Sequence, residues 1–310
     1  EDESLWPQIF VAALGAGDAT GRQLDGLGGG ISSLSKVCVI GPPSRSDADV
    51  DYTFVQLSPK SEHVDFSSSC GNMTAAVGPF AVDEGLVVAA GDRVVVRIHN
   101  TNAQQLIVSK FPLDEDQAAV DGDWVIPGVS GQGAPVRLEF QHPGGAATGR
   151  LLPTGEPINS LDVVGVGPLE LSMVDAGNPC VFIAADALGL AGTEMPDVLD
   201  AQPELLDRLE SIRCSASVAM GISDSIEAAA KIPSIPKVAL VSPAQVATTL
   251  SGVSIGQSEC DVTLRMISVG QPHRAIPVTG SMCTAIAAQI IGTVVHRLCR
   301  PEVVPDDIRI

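Results

Sequence analysis

The sequence predicts an α+β protein of two similar domains, each built of strands wrapped around a central apolar helix. Three observations carry this. The 310 residues exceed one typical core, so two domains are expected. Short β-branched segments bounded by turn residues run through the first half and return in the second. Finally, "CGNMTAAV" from Cys70 and "TGSMCTAI" from Thr279 share Gly, Met and Ala at three of eight aligned places, and each precedes a run of small apolar residues.

The elements follow in order. "DYTFVQL" (Asp51–Leu57), "RVVVRIH" (Arg93–His99), "QLIVSKF" (Gln105–Phe111) and "VRLEFQ" (Val136–Gln141) read as strands. The Gly- and Pro-rich stretch His142–Pro168 is the expected boundary zone, giving domains 1–160 and 161–310. A strand over Leu169–Ile183 is broken at Ala-Gly-Asn-Pro. Pro203–Ile222 reads as a helix, because Leu205, Leu206, Leu209 and Ile212 recur at helical spacing behind a first-turn proline. "KVALVS" and "DVTLRMISVG" return to strand. Ser281–Leu298 is apolar almost all round and predicts one buried helix.

Composition narrows the function. Aromatics are only 3%, so the cores are Val, Ile, Leu and Ala. The net charge of −19 argues against nucleic acid and anionic membranes, which need a basic footprint. Seven cysteines at long spacings, with no CxxC, argue against a disulfide framework or a zinc site. The five histidines form no HxxxH or HExxH pair, so no metal is expected. No run of eighteen apolar residues occurs, and the expectation is a soluble cytoplasmic protein.

Four segments carry candidate chemistry. In "SSSCGNM", Cys70 stands where a loop turns into a helix. Gly71 permits close backbone approach, and the helix start offers N–H groups to an anion. A thiol there is more readily ionised, although a packed core thiol is an equal reading. "DGLGGGISSLSKV" (Asp25–Val37) is either an ordinary Gly-rich turn or a backbone cradle for an anion with Lys36 at its mouth. In "VDAGNPC", Asn178 either shapes a tight turn or donates to a substrate carboxylate. In "QPHRAIPVTGSM", Thr279, Gly280 and Ser281 would cap the following helix, with His273 and Arg274 nearby.

Together these segments resemble the methylaconitate isomerase family of allylic Δ-isomerases, which includes methylitaconate and oxalomesaconate isomerases and has the diaminopimelate epimerase-like fold. The matching stretches are Gly21–Val37, "CGNM" (Cys70–Met73), "AGNP" (Ala176–Pro179) and "HRAIPVTGSM" (His273–Met282), in the family's order. The resemblance implies two domains, each a curled sheet around a central helix, with the active site in the cleft between them. It implies a cofactor-independent proton shift across three carbons of a small unsaturated di- or tricarboxylate, with aconitate-type acids favoured. Lys36 and Cys70 match the family's catalytic lysine and cysteine. Ser33, Ser35, Gly71, Asn72, Met73, Asn178, His273, Thr279, Gly280, Ser281 and Met282 are the implied substrate contacts, with the N–H groups of Gly71–Met73 and Gly280–Met282 steadying negative charge.

Related epimerases use two cysteines, one per domain. Here the second place is Thr279, which disfavours a two-thiol epimerase or racemase. That activity on the same fold, and a non-catalytic accessory role, are the alternatives. Family members also usually begin with an additional strand and continue past "DDIRI", so this chain reads as clipped at both ends. A homodimer is the possible assembly.

Overall fold

The computed structural model describes residues 2–126, 129–299 and 307–310. It is α+β and divides into two compact units. The first runs through Ala119 and takes back Val136–Gln141; the second comprises Val120–Pro135 and His142–Ile310. The stretch 142–160, grouped with the first domain on composition, therefore packs with the second. The reason lies in its hydrogen bonds. Gly145 N donates to Asp175 O, Gly177 N to Pro143 O and Asp175 N to Leu151 O. The buried Asp175 Oδ2 accepts from Ala147 N, Thr148 N and Thr148 Oγ1 at 2.7–2.9 Å. Glycine and proline here shape turns clamped onto a strand, not a linker.

The first unit opens with α1 (Trp6–Leu14), which a left-handed Gly15 ends. Strands β1 (Lys36–Gly41), β2 (Val50–Leu57), β3 (Val64–Asp65), β4 (Arg93–Asn100), β5 (Gln105–Asp114), β6 (Gln117–Ala118) and β7 (Arg137–Phe140) form one sheet, and α2 (Gly71–Asp83) packs on it. β1 and β2 are antiparallel, β2 and β4 parallel, β4 and β5 antiparallel. The alternation of a strand sorts β2 between two cores. Tyr52 and Phe54 face α2, in a cluster with Cys70, Val77 and Ile98. Val55 and Leu57 face α1, with Leu14 and Phe10.

The second unit builds a sheet from β8 (Asn159–Val163), β9 (Gly167–Ala176), β10 (Asn178–Ala184), β11 (Lys237–Pro243), β14 (Val262–Ser268) and β15 (Gln271–Pro272). A separate small pair is β12 (Ala247–Thr248) with β13 (Ser254–Ile255). The break expected inside Leu169–Ile183 is the β9–β10 hairpin, turned at Gly177 with φ +71°. Helices α3 (Pro196–Asp200), α4 (Pro203–Ala219) and α5 (Ile226–Ala230) lie between β10 and β11 in the chain, and α6 (Val278–Gln289) and α7 (Val294–Leu298) follow β15. Val181 and Ile183 share a core with α4 residues, whereas Cys180 and Phe182 share one with Cys283 and Ala287 of α6.

The run Ser281–Leu298 is therefore two helices, not one. α6 starts earlier, at Val278, and the chain breaks around Gly292 with φ +94°. Thr293 then caps α7, accepting from His296 N. The two halves of the repeat occupy comparable places. Each opens a helix that follows an antiparallel strand pair: β1–β2 before α2, and β11–β14 before α6. Among the described residues no helix is long and apolar enough to cross a membrane.

Candidate active site

Lys36 is the first residue of β1, and Cys70 is the residue immediately before α2. In β1, Lys36, Cys38 and Ile40 share one face, opposite Gln56, Phe54 and Tyr52 of β2. α2 packs on β1 and β2, and it carries Cys70 to that face. Lys36 Nζ comes within 3.5 Å of Cys70 Sγ and lies 6.0 Å from the centre of the Phe54 ring. Cys70 is buried and Lys36 half-buried. The two side chains thus come together within one unit.

The first ladder bond of α2 runs from Thr74 N to Cys70 O at 2.9 Å, so the N–H groups of Gly71, Asn72 and Met73 precede the helical ladder. They carry the positive end of the helix beside the thiol. Gly71 is buried, Asn72 exposed and Met73 half-buried against the core.

The Gly-rich segment does not form an anion cradle. Its backbone N–H groups are already used: Leu27 N bonds Ala13 O, Gly28 N bonds Leu14 O, Gly29 N bonds Leu34 O and Gly30 N bonds Gln23 Oε1. The glycines are needed for packing, since a Cβ on Gly28 would run into the Gln23 amide. Ser35 is also corrected as a substrate contact. It is fully buried, and its hydroxyl meets Gln23 Oε1 at 2.7 Å and Ile31 O at 2.9 Å. Ser33 is exposed, in the 3-10 turn Ser32–Leu34. The loop holds Lys36 in place: Leu57 N and Gln56 Nε2 both donate to Ser35 O.

In the second unit, Asn178 and Thr279 come together. Asn178 Nδ2 donates to Thr279 Oγ1 at 2.9 Å, and both residues are buried. The amide expected to meet a substrate carboxylate thus already bonds the threonine. The expected N–H donors of α6 shift by two residues. Ser281 N bonds Pro277 O, so Val278, Thr279 and Gly280 precede the ladder, and Pro277 holds the cap position. Gly280 admits Met266 against the helix, and the Met282 methyl group lies over Gly177. Half-buried His273 donates its backbone N–H to Met266 O. His273 and Ser281 line a cavity of ≈ 290 Å³ together with Met266, Arg265, Gln245 and Thr248. Arg274 also borders it and pairs with Asp200 at 2.7 Å.

Sequence reasoning missed three neighbours of the Lys36–Cys70 pair. Cys38 Sγ lies 3.9 Å from Tyr52 Oη, Tyr52 is fully buried, and Thr74 Oγ1 donates to Cys70 O at 2.8 Å. Burial pushes the Cys38 thiol up to about 11, so it stays protonated at neutral pH. Burial likewise pushes the Tyr52 hydroxyl up, reinforced by Cys38 and Cys70. The available signal was alternation: Cys38 is two residues from Lys36, and Tyr52 is the chain's single tyrosine. A second polar cluster does not form a catalytic relay. Asp51 Oδ1 and Ser44 Oγ meet the same nitrogen of His99, Nδ1, at 2.9 and 3.3 Å, so the imidazole does not bridge them. Among the described residues no three His, Cys, Asp or Glu side chains are grouped to hold a metal ion.

Residues 1–306 match the family model described as PrpF protein. The chain is 38% identical over 311 residues to 3-methylitaconate isomerase from Eubacterium barkeri, covering 100% of this chain and 81% of that one. It is 35% identical over 295 residues to 2-methyl-aconitate isomerase from Cupriavidus necator, covering 93% and 74%. A crystal structure of methylitaconate-delta-isomerase superposes with a TM-score of 0.78 at 37% identity, over 99% of this chain and 79% of that one. The chain belongs to the PrpF protein family.

Proposed function

We propose that this protein is an isomerase that moves a carbon–carbon double bond in a small unsaturated di- or tricarboxylate, with aconitate-like acids favoured. The observation that carries the reading is the 3.5 Å approach of Lys36 Nζ to Cys70 Sγ at the start of α2. The names of the relatives, isomerases of methylitaconate and methylaconitate, support it.

The chemistry follows from these groups. Lys36 acts as the base and removes a proton from a carbon flanked by a carboxylate and the double bond. The C–H electron pair spreads over the three allylic carbons and the carboxylate. A proton then returns at the far carbon, and the double bond has moved with no net change in atoms or oxidation state. The thiol of Cys70 is the partner acid or orients the base. The α2 N-terminus offsets the charge growing on the carboxylate. Thr279 in place of a second thiol disfavours epimerisation, because its hydroxyl is a poor acid–base for carbon at neutral pH.

The test is an NMR screen of aconitate, methylaconitate, methylitaconate and oxalomesaconate with the protein in D2O. Deuterium entering one of these acids at the allylic positions is expected. Absence of exchange with all four would defeat the reading.

A further inference from the structure

The cavity of the second unit is bordered by a buried hydroxyl and a guanidinium whose bonding capacity the fold does not use up. Strand β14 supplies both. Thr263 and Arg265 are two residues apart, so their side chains leave the same face of the strand. Both border the ≈ 290 Å³ cavity, whose volume is at the small end for ligand pockets. Every residue that lines it belongs to the second unit, and neither Lys36 nor Cys70 is among them.

Thr263 is 6% exposed, and its Oγ1 has no hydrogen-bond partner. A buried hydroxyl in that state is costly. Arg265 is half-buried. Its Nε donates to Glu194 O at 2.6 Å, Nη1 to Leu264 O at 2.9 Å and Nη2 to Thr193 O at 3.1 Å. These neutral carbonyls take three of the five N–H groups and leave one on each terminal nitrogen. Among the described residues, Arg265 is in none of the ion pairs. Burial disfavours its charge, and the field of Glu194 offsets only part of that. The Glu194 oxygens accept instead from Ala191 N and Gly192 N at 2.7 and 2.9 Å. A guanidinium stays ionised all the same.

The rest of the lining selects the ligand. Among the described residues no Asp or Glu borders the cavity, although the chain has 37 acidic residues against 18 basic ones. The acid-free lining favours an anion. Arg274 also borders the cavity, but its charge is paired with Asp200. Leu250, Ile255 and Ile276 give apolar wall. Water would satisfy Thr263 and leave the Arg265 charge uncompensated. Inorganic phosphate would meet the polar end and leave the apolar wall uncovered.

We propose that this cavity binds a small aliphatic monocarboxylate. Its carboxylate accepts from the Thr263 hydroxyl and from the two remaining N–H groups of Arg265, and its alkyl chain lies on Leu250, Ile255 and Ile276. One uncompensated cation matches one carboxylate, which separates this ligand from the di- or tricarboxylates of the proposed isomerisation.

The experiment reads binding without turnover. Hexanoate is titrated into methyl-labelled protein, and the methyl resonances of Thr263, Ile255 and Ile276 are followed by NMR. We expect them to shift and saturate with Kd below about 20 mM, the weak end for a ligand of this size. Hexanamide, which has the same shape without the charge, and inorganic phosphate should each bind at least about tenfold more weakly. Thr263→Val should weaken hexanoate binding at least about threefold and Arg265→Gln at least about tenfold, while Thr263→Ser and Lys36→Met bind as the wild type does. No saturating shift, hexanamide or phosphate within about tenfold of hexanoate, or a smaller loss in either weakened variant would overturn the proposal, as would loss of binding in Lys36→Met. Arg265 also braces Thr193 and Glu194; should Arg265→Gln not fold, Thr263→Val and the hexanamide comparison decide. Wild-type protein that exchanges no deuterium counts against the isomerase reading alone.

Discussion

Replacing Lys36 by Met separates chemistry from stability more cleanly than any other single change at this site. Methionine keeps most of the side chain's length and apolar contact on the β1 face, and the backbone ladder with Gln56 does not involve the amine. What disappears is the 3.5 Å contact with Cys70 Sγ and the ammonium 6.0 Å from the Phe54 ring. A partly exposed cation–π contact of that kind is worth about 0.5–1 kcal/mol, and the methionine recovers part of it through apolar burial. The stability change is therefore expected to stay under about 1 kcal/mol. Loss of a positioned general base costs about 10²–10⁴-fold in rate. That range corresponds to about 2.7–5.4 kcal/mol of transition-state stabilisation. The assay pairs deuterium uptake from D2O by NMR with a urea unfolding midpoint on the same preparation. Exchange within threefold of wild type would show that Lys36 is not the base. A collapse in stability parallel to the rate loss would show that Lys36 matters as packing.

Three other outcomes follow from the geometry. Thr279→Val deprives the buried Asn178 amide of its acceptor and should cost about 1–3 kcal/mol by urea denaturation, whereas Thr279→Ser should cost less than half as much. Gly28→Ala forces the Gln23 amide aside and breaks its bonds to Gly30 N and Ser35 Oγ, so a loss of about 1–3 kcal/mol is expected in the same assay. Because the Cys38 thiol is raised from 9.0 to about 11, its thiolate is scarce at neutral pH and grows as pH rises toward that value. Its alkylation should accelerate about tenfold per pH unit from pH 8 to 10, and a plateau below pH 9 would contradict the assigned burial.

Much of this architecture could be read from sequence because the informative patterns were local. Asp51–Leu57 and Gln105–Phe111 alternate and are β-branched, and they became β2 and β5. Pro203 opened α4 with Leu205, Leu209 and Ile212 on its buried face. Where the reading strayed, a distant partner or a short cue decided. The Gly-rich loop looks like an anion site until Gln23 is seen to fill it, and nothing in "GGGISS" announces a glutamine folded back from Gln23. The break in the last apolar run was written as Gly292-Thr293, a helix stop followed by a cap, but the apolar residues around it outweighed two small ones. Tyr52 belongs to no motif. It shares a core cluster with Cys70, with Cys38 packed against it, because β1, β2 and α2 pack together, and a single sequence does not display that convergence.

The lock between the Gly-rich loop and the β1–β2 pair has an evolutionary corollary. Strand β1 presents Lys36 and Cys38 to one side and Val37, packed with the α1 core, to the other. One inserted residue between Gly30 and Lys36 would exchange those sides, sending the ammonium into hydrocarbon and offering valine to Cys70. The bonds from Leu57 N and Gln56 Nε2 to Ser35 O hold the strand against such a slip. Length variation in this region should therefore collect in the turn at 42–49, on the far side of β1, while the stretch from Gly28 to Lys36 keeps a fixed count.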